Sequence, residues 1–158
     1  MSVTFTQLTQ AQSDTLRAMI AADTTANAMG QAGDDAGLSA WLNTPDAAYI
    51  VWRTNMTIAE CNQVMVWTEI DGLTVGKARI WEWMRSMGTL DASQTNIRQG
   101  FSDAFTTATA TKAAITALAK RQATRAEKKL ATGTGTTATP AILVFEGQID
   151  PGQASSLR

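Results

Sequence analysis

The chain has 158 residues, a net charge of −1, 44% apolar residues and 17% charged residues, a balance that predicts one domain with its own core and argues against wholesale disorder. It contains no histidine and a single cysteine, Cys61, which excludes histidine bases and ligands, Ser-His-Asp and Cys-His catalysis, an internal disulfide and any multi-cysteine metal site. Met1–Thr6 has no basic segment ahead of an apolar run, and no stretch approaches the ~20 apolar residues of a membrane span, so the expectation is a chain made in a reducing cytoplasm and without a membrane partner.

Thr9-Gln-Ala-Gln12 has the spacing of a capping box, in which the two side chains satisfy each other's helix-start donors. Leu16, Met19 and Ile20 follow at helical spacing, which predicts a helix over about 8–28 that frays at Asp23-Thr24-Thr25. Gly30, Gly33, Asp34-Asp35 and Gly37 read as a loop. A short helix over 37–43 is ended by Pro45, because the residue before proline disfavours helix. Periodicity leaves the apolar run Tyr49–Trp52 open between strand and buried helix.

Thr57-Ile-Ala-Glu60 is a second capping box, opening a helix with Ile58, Cys61, Val64 and Met65 on one face. Asp71-Gly72 breaks the chain. Ile80, Trp83, Met84 and Met87 then form one helical stripe, with Gly88 placed to end it in a left-handed conformation. Asp91-Ala-Ser-Gln94 offers another start, ahead of the apolar face Ile97, Phe101, Ala104 and Phe105. Ile115, Leu118, Ala119, Gln122, Ala126 and Leu130 predict one helix over about 110–131, capped by Gly133. The stretch Gly133–Pro140 reads as an extended connector. Ala141–Phe145 is the one convincing strand, ended at Glu146-Gly147, and 148–158 reads as loose.

This pattern predicts a mainly α protein: a small helical bundle over 1–131 and an extended C-terminal arm over 132–158 carrying one short β-strand. A lone strand has no partner in its own helical body, and its backbone donors and acceptors must be satisfied somewhere. The simplest expectation is pairing with another chain through Ile142, Val144 and Phe145.

The charge is unevenly placed. Residues 1–75 carry eight acids and two bases, whereas 112–129 carry six bases and one acid. Such asymmetry suggests contacts between copies, or between one face and nucleic acid. Lys112, Lys120, Arg121, Arg125, Lys128 and Lys129 read as a solvated face, a partner for acids of a neighbouring chain, or a non-specific DNA contact. No aromatic is interleaved with them, so base-specific reading is not expected.

Gly133-Thr-Gly-Thr-Thr lacks the lysine and the strand-then-helix order of a phosphate loop. Asp34-Asp35 and the acids Glu60, Glu69 and Asp71 are expected to be solvated or capping rather than metal-binding or catalytic. Cys61 reads as a small buried apolar residue. Trp83 shares the core stripe of its helix. Trp81 lies about 100° away and is expected to meet a second surface as an aromatic contact.

Three segments together carry a family resemblance: Tyr49-Ile-Val-Trp-Arg-Thr54; Leu73-Thr-Val-Gly-Lys-Ala-Arg-Ile-Trp-Glu-Trp-Met84 continuing through Asn96-Ile-Arg-Gln-Gly-Phe101; and Arg125-Ala-Glu-Lys-Lys-Leu-Ala-Thr-Gly-Thr-Gly-Thr136 with Pro140. They resemble small structural proteins of tailed bacteriophages and prophages, over about residues 38–150. Size and helical content are similar to head-to-tail adaptors, also called connector or head-completion proteins.

The resemblance implies a non-enzymatic virion protein at the head-tail junction, without cofactor, catalytic residue or metal. Its partners would be a homo-oligomeric, twelve-copy ring, the portal protein, neck or tail proteins, and packaged DNA. In that setting the arm residues Ile142, Val144 and Phe145 would dock on the portal or a neighbour. Arg121, Arg125, Lys128 and Lys129 would face the next subunit or the DNA, and Trp81 would sit at a contact. The alternatives are another neck, tail-terminator or minor capsid component, or a small DNA-binding or packaging accessory protein.

Overall fold

The computed structural model describes residues 7–158; the segment Met1–Thr6, read above for a signal peptide, lies outside them. In chain order the elements are helices α1 (Gln10–Ala22), α2 (Thr24–Ala32) and α3 (Asp35–Leu42), strands β1 (Pro45–Trp52) and β2 (Met56–Thr57), helices α4 (Ile58–Val64), α5 (Trp67–Asp71) and α6 (Val75–Arg85), and strand β3 (Thr89–Leu90). Helices α7 (Thr95–Ala104) and α8 (Thr109–Leu118), strand β4 (Lys120–Thr124), and helices α9 (Arg125–Leu130) and α10 (Pro151–Ser156) complete the order. The protein is mainly α, as its apolar periodicity predicts.

The chain divides into two compact units, Met1–Val51 with Gln122–Arg158, and Trp52–Arg121. The first unit begins with α1, closed at its N-terminus by the capping box of Thr9 and Gln12. The expected fray near residue 23 is a clean break. The Asp23 carboxylate accepts from the backbone N–H groups of Thr25 and Ala26 and starts α2. Asp34 does the same for α3, accepting from Gly37 N at 2.8 Å. These short side chains satisfy the orphan donors of a helix's first turn, so the single helix expected over 8–28 becomes α1 and α2, the expected loop shrinks to the turn at Gly33 and Asp34, and the short helix expected over 37–43 is α3.

The undecided run Tyr49–Trp52 is the end of β1, which pairs with β4. The stretch 132–140 is no loose connector. Tyr49 donates its hydroxyl to Gly133 O, and Ile50 N donates to Gly135 O at 2.7 Å. Gly135 has φ +67°, and a Cβ there would collide with the Tyr49 ring. Only glycine meets both demands at low cost. The hydroxyls of Thr134, Thr136 and Thr139 knot the turn through mutual hydrogen bonds.

The C-terminal segment overturns the division into a 1–131 body and a 132–158 arm. Ala141 bridges in parallel to Val51, and Ile142 bridges to Thr132. Phe145, Ile149, Ala154 and Leu157 are buried in the same core as Leu16, Ile20, Leu38 and Leu42. The Asn43 carboxamide accepts from Ile149 N and donates to Ile149 O, and Ser39 Oγ donates to that same carbonyl. The expected strand Ala141–Phe145 is reduced to isolated bridges at its first two residues, and these find their partners in their own unit: Ala141 N donates to Ile50 O, and Ile142 exchanges N–H···O bonds with Thr132. Residues 148–158 hold α10, opened by the capping box of Asp150 and Gln153 with Pro151 at its first position.

The expected helix over 110–131 is three elements. It stops at Leu118, passes through β4, and restarts at α9, where Thr124 and Glu127 form a capping box. An apolar face at helical spacing was present throughout. The β4 pairing with β1 competed with helix continuation and prevailed, as tertiary context often does over local preference.

In the second unit, β2 and β3 pair antiparallel, Met56 opposite Leu90 and Thr57 opposite Thr89. The core gathers Met56, Cys61, Met84, Leu90, Phe101 and Phe105. The anticipated capping box at Thr57 and Glu60 opens α4, and Gly88 takes φ +76° just past α6. Ile97, Phe101, Ala104 and Phe105 are all buried, as their spacing predicts.

The stripe on α6 is rotated from the one expected. Trp81 is only 4% exposed and its ring meets Phe105 at 5.3 Å between centroids, whereas Trp83 is 63% exposed. Trp81 is therefore a core residue and not an aromatic contact. The helix carries two apolar stripes, and the one through Ile80, Trp81 and Met84 packs against Phe105 and its neighbours.

Candidate functional site

In the first unit, three of the four basic residues singled out by the sequence converge. Arg125, Lys128 and Lys129 line a groove of about 280 Å³ with Met19, Asp23, Trp41 and Asp46. The Thr124 capping box sets the start of α9 and so aims these side chains. The Arg125 guanidinium lies 4.7 Å from the Trp41 ring centroid, and Lys128 Nζ lies 5.5 Å from that of Tyr49. Such stacking is a favourable cation–π arrangement.

Lys128 also pairs with Asp46 at 2.7 Å. That hydrogen bond, followed by one from Ala48 N, holds the Asp46 carboxyl below its usual range. The groove is thus largely self-neutralised. Arg121, the fourth residue, stands on β4 in the second unit and is not brought to the groove.

The three residues expected on the arm separate. Ile142 and Val144 are exposed, Val144 by 61%, but Phe145 is 2% exposed and belongs to the core. Alternation along an extended segment puts 142 and 144 on one side and 145 on the other. Phe145 is therefore no contact residue, and the remaining pair is a small apolar spot on a segment anchored to its own unit.

The sequence reading missed an exposed apolar feature. On α6 and the turn that closes it, Val75, Arg79, Trp83 and Met87 follow at steps of four, the spacing of a helix ridge. Val75 is 76% exposed and Met87 55%, and Trp67 on α5 is exposed as well. The two-stripe pattern of α6 was the available signal, since a helix apolar on more than one face has more than one surface to cover.

Of the acids weighed as catalytic or metal-binding, Glu60 and Glu69 are committed to structure. Glu60 closes the cap of α4 through Thr57 and also binds Arg53 at 2.9 Å. The Thr57 backbone N–H leads the causes that bring its carboxyl from 4.5 to about 2, with Arg53 and the Thr57 hydroxyl behind. Glu69 accepts from the N–H groups of Ala110 and Thr111 and caps α8 from another element; those bonds, Thr111 first, lower its pKa. Burial, and then the Glu60 charge, push the Cys61 thiol up to about 11, so it stays protonated near neutrality.

Among the described residues no group of three His, Cys, Asp or Glu is placed to hold a metal ion, and no helix is long and apolar enough to cross a membrane. Comparison with protein-family models, curated proteins and solved structures finds no match to this chain.

Proposed function

We propose that this protein is a non-enzymatic structural subunit of a tailed-phage-type particle, acting at the head-to-tail junction as one copy of a ring. The observation that carries the assembly part of this reading is the exposed ridge of α6. A tryptophan, a methionine and a valine held in water along one helix face are the kind of patch that marks a protein interface. The virion setting rests on the family resemblance of the three segments, by analogy.

The occupant proposed for the ridge is a second copy of this chain. Met1–Val51 with Gln122–Arg158 carry five bases and eight acids, a charge of −3, while Trp52–Arg121 carry eight bases and six acids, a charge of +2. The ridge, with Arg79 within it, lies in the positive unit. A head-to-tail contact of the positive unit of one copy with the negative unit of the next repeats around a closed ring. Among the described residues, Ile142 and Val144 form an exposed apolar spot on the negative side. Portal docking by a free C-terminal strand has no place in this proposal, because that segment is part of its own core.

The test is light scattering of the purified chain over a concentration series, with Trp83→Ser and Met87→Ser beside it. The expected result is a defined oligomer for the natural sequence and monomers for the variants, with the helical circular dichroism of the natural sequence retained. A monomer at every concentration sinks the assembly reading. Mass spectrometry of purified particles separately tests the virion setting, which fails if the chain is absent from them.

A further inference from the structure

We infer that the second unit holds a binding pocket for a sugar-phosphate group. A cavity of about 220 Å³ is lined by Trp52, Arg98, Phe101, Ser102, Lys112, Thr116 and Ala119. Two cations and no acid stand on its wall. A third cation, Lys120, lies 5.4 Å from the centroid of the Trp52 ring.

Arg98 is fixed before any ligand arrives. Its Nη1 donates to Ala92 O and Ser93 O, at 2.7 and 2.6 Å, and its Nη2 donates to Thr95 Oγ1. Its guanidinium lies 4.9 Å from the centroid of the Trp52 ring. These contacts hold the side chain without neutralising it, because none of them is to a carboxylate. Preorganised charge of this kind binds an anion without the entropy cost of ordering a long side chain.

Lys112 differs from the other lysines of the basic segment. It is half-buried on α8, and among the described residues its ammonium has no ion pair or hydrogen bond. Its charge therefore has no competing carboxylate, and an anion that enters the cavity meets Arg98 and Lys112 together. The Thr116 hydroxyl donates to Lys112 O at 2.7 Å, which leaves its oxygen to accept only.

The ligand class follows from the wall. The two lining cations match a phosphate, which carries up to two charges and several acceptor oxygens, better than a carboxylate. Phe101, Ala119 and the Trp52 ring supply an apolar side suited to the carbon frame of a sugar. A free nucleotide and the backbone of DNA both present that chemistry. This inference does not depend on the ring proposed above.

The experiment is a two-dimensional amide and indole NMR titration of the full chain with inorganic phosphate, deoxythymidine monophosphate, a short DNA duplex and acetate in turn. Phosphate and the nucleotide are expected to shift Trp52, Arg98 and Lys112, the nucleotide at lower concentration and acetate hardly at all. Lys112→Met, which keeps the apolar stem, is expected to weaken the response at least tenfold. Lys77→Met, outside the pocket, is expected to leave it unchanged. If the duplex reproduces the same shifts, the physiological source is DNA; if only the nucleotide does, it is a small ligand. Shifts scattered over the surface, an equal response to acetate, or an unchanged response in Lys112→Met overturns the inference. Should Lys112→Met unfold, Lys112→Gln and the location of the shifts in the natural sequence decide.

Discussion

The two units place similar residues in similar pairs and reach opposite electrostatic results. In one, Arg125 lies over Trp41 and Lys128 over Tyr49, with Asp46 bound to Lys128 and Asp23 on the same wall. In the other, Arg98 lies over Trp52 with Lys112 on the same wall, and no acid lines the cavity. An aromatic under a cation does not by itself make a site. The presence or absence of a carboxylate within reach decides whether the charge is spent internally or kept for a ligand. The units also differ in construction, since one is assembled from two separate stretches of the chain and the other is a continuous segment.

The harshest way to break that comparison is to remove residues 141–158. The first unit should lose its protected amides in hydrogen exchange, because Phe145, Ile149 and Leu157 leave its core, while amides of Trp52–Arg121 keep theirs. Loss of protection throughout the chain would show that the units do not stand apart.

A single residue tests each core. Phe145→Ala and Trp81→Ala should each cost about 3–5 kcal/mol in denaturant unfolding, the range for truncating a large buried aromatic. Trp83→Ala should stay within about 0.5 kcal/mol, as an exposed substitution does. At concentrations where the chain is monomeric, a large loss at Trp83 would mean that the ridge is covered by its own chain.

Gly135→Ala combines positive φ with a collision against Tyr49 and should cost roughly 1–3 kcal/mol; an unchanged melting temperature would argue that the turn is not pinned to β1. Thr57→Ala should cost about 1 kcal/mol through the lost cap of α4. The acid side of the stability profile reads the same cap. Glu60 titrates at about 2 in the fold against 4.5 ordinarily, so its contribution is complete above pH 4.5 and disappears as pH falls through 2. Glu60→Gln should flatten the stability curve in that window.

The mildest change sharpens the comparison most directly. Asp46→Asn breaks an exposed pair, which should cost at most about 1 kcal/mol. The groove would then hold Arg125, Lys128 and Lys129 against Asp23 alone, and weak phosphate binding should appear there. No gain of binding would mean that charge alone does not separate the two clusters.

Local chemistry was legible. The capping boxes at Thr9 and Thr57, the Gly88 stop and the buried face of α7 follow from spacing. Two more boxes were equally readable, Thr124 with Glu127 and Asp150 with Gln153; they mark the restart at α9 and the existence of α10. The C-terminal segment was misread because β-rich composition says that backbone groups need partners without saying on which molecule. The unit-2 pocket was harder still, since Trp52, Arg98 and Lys112 are far apart in the chain.

By itself, then, the sequence determined that the protein is mainly helical, where several helices begin, and that these residues offer no histidine chemistry and no internal disulfide. Those properties depend on residue type and on neighbours within four positions. The tertiary structure alone decided which of two apolar stripes on α6 is buried, that residues 141–157 close their own unit, and which cations have acids beside them. Each is a choice between local solutions of similar cost, and only contacts between residues distant along the chain can settle it.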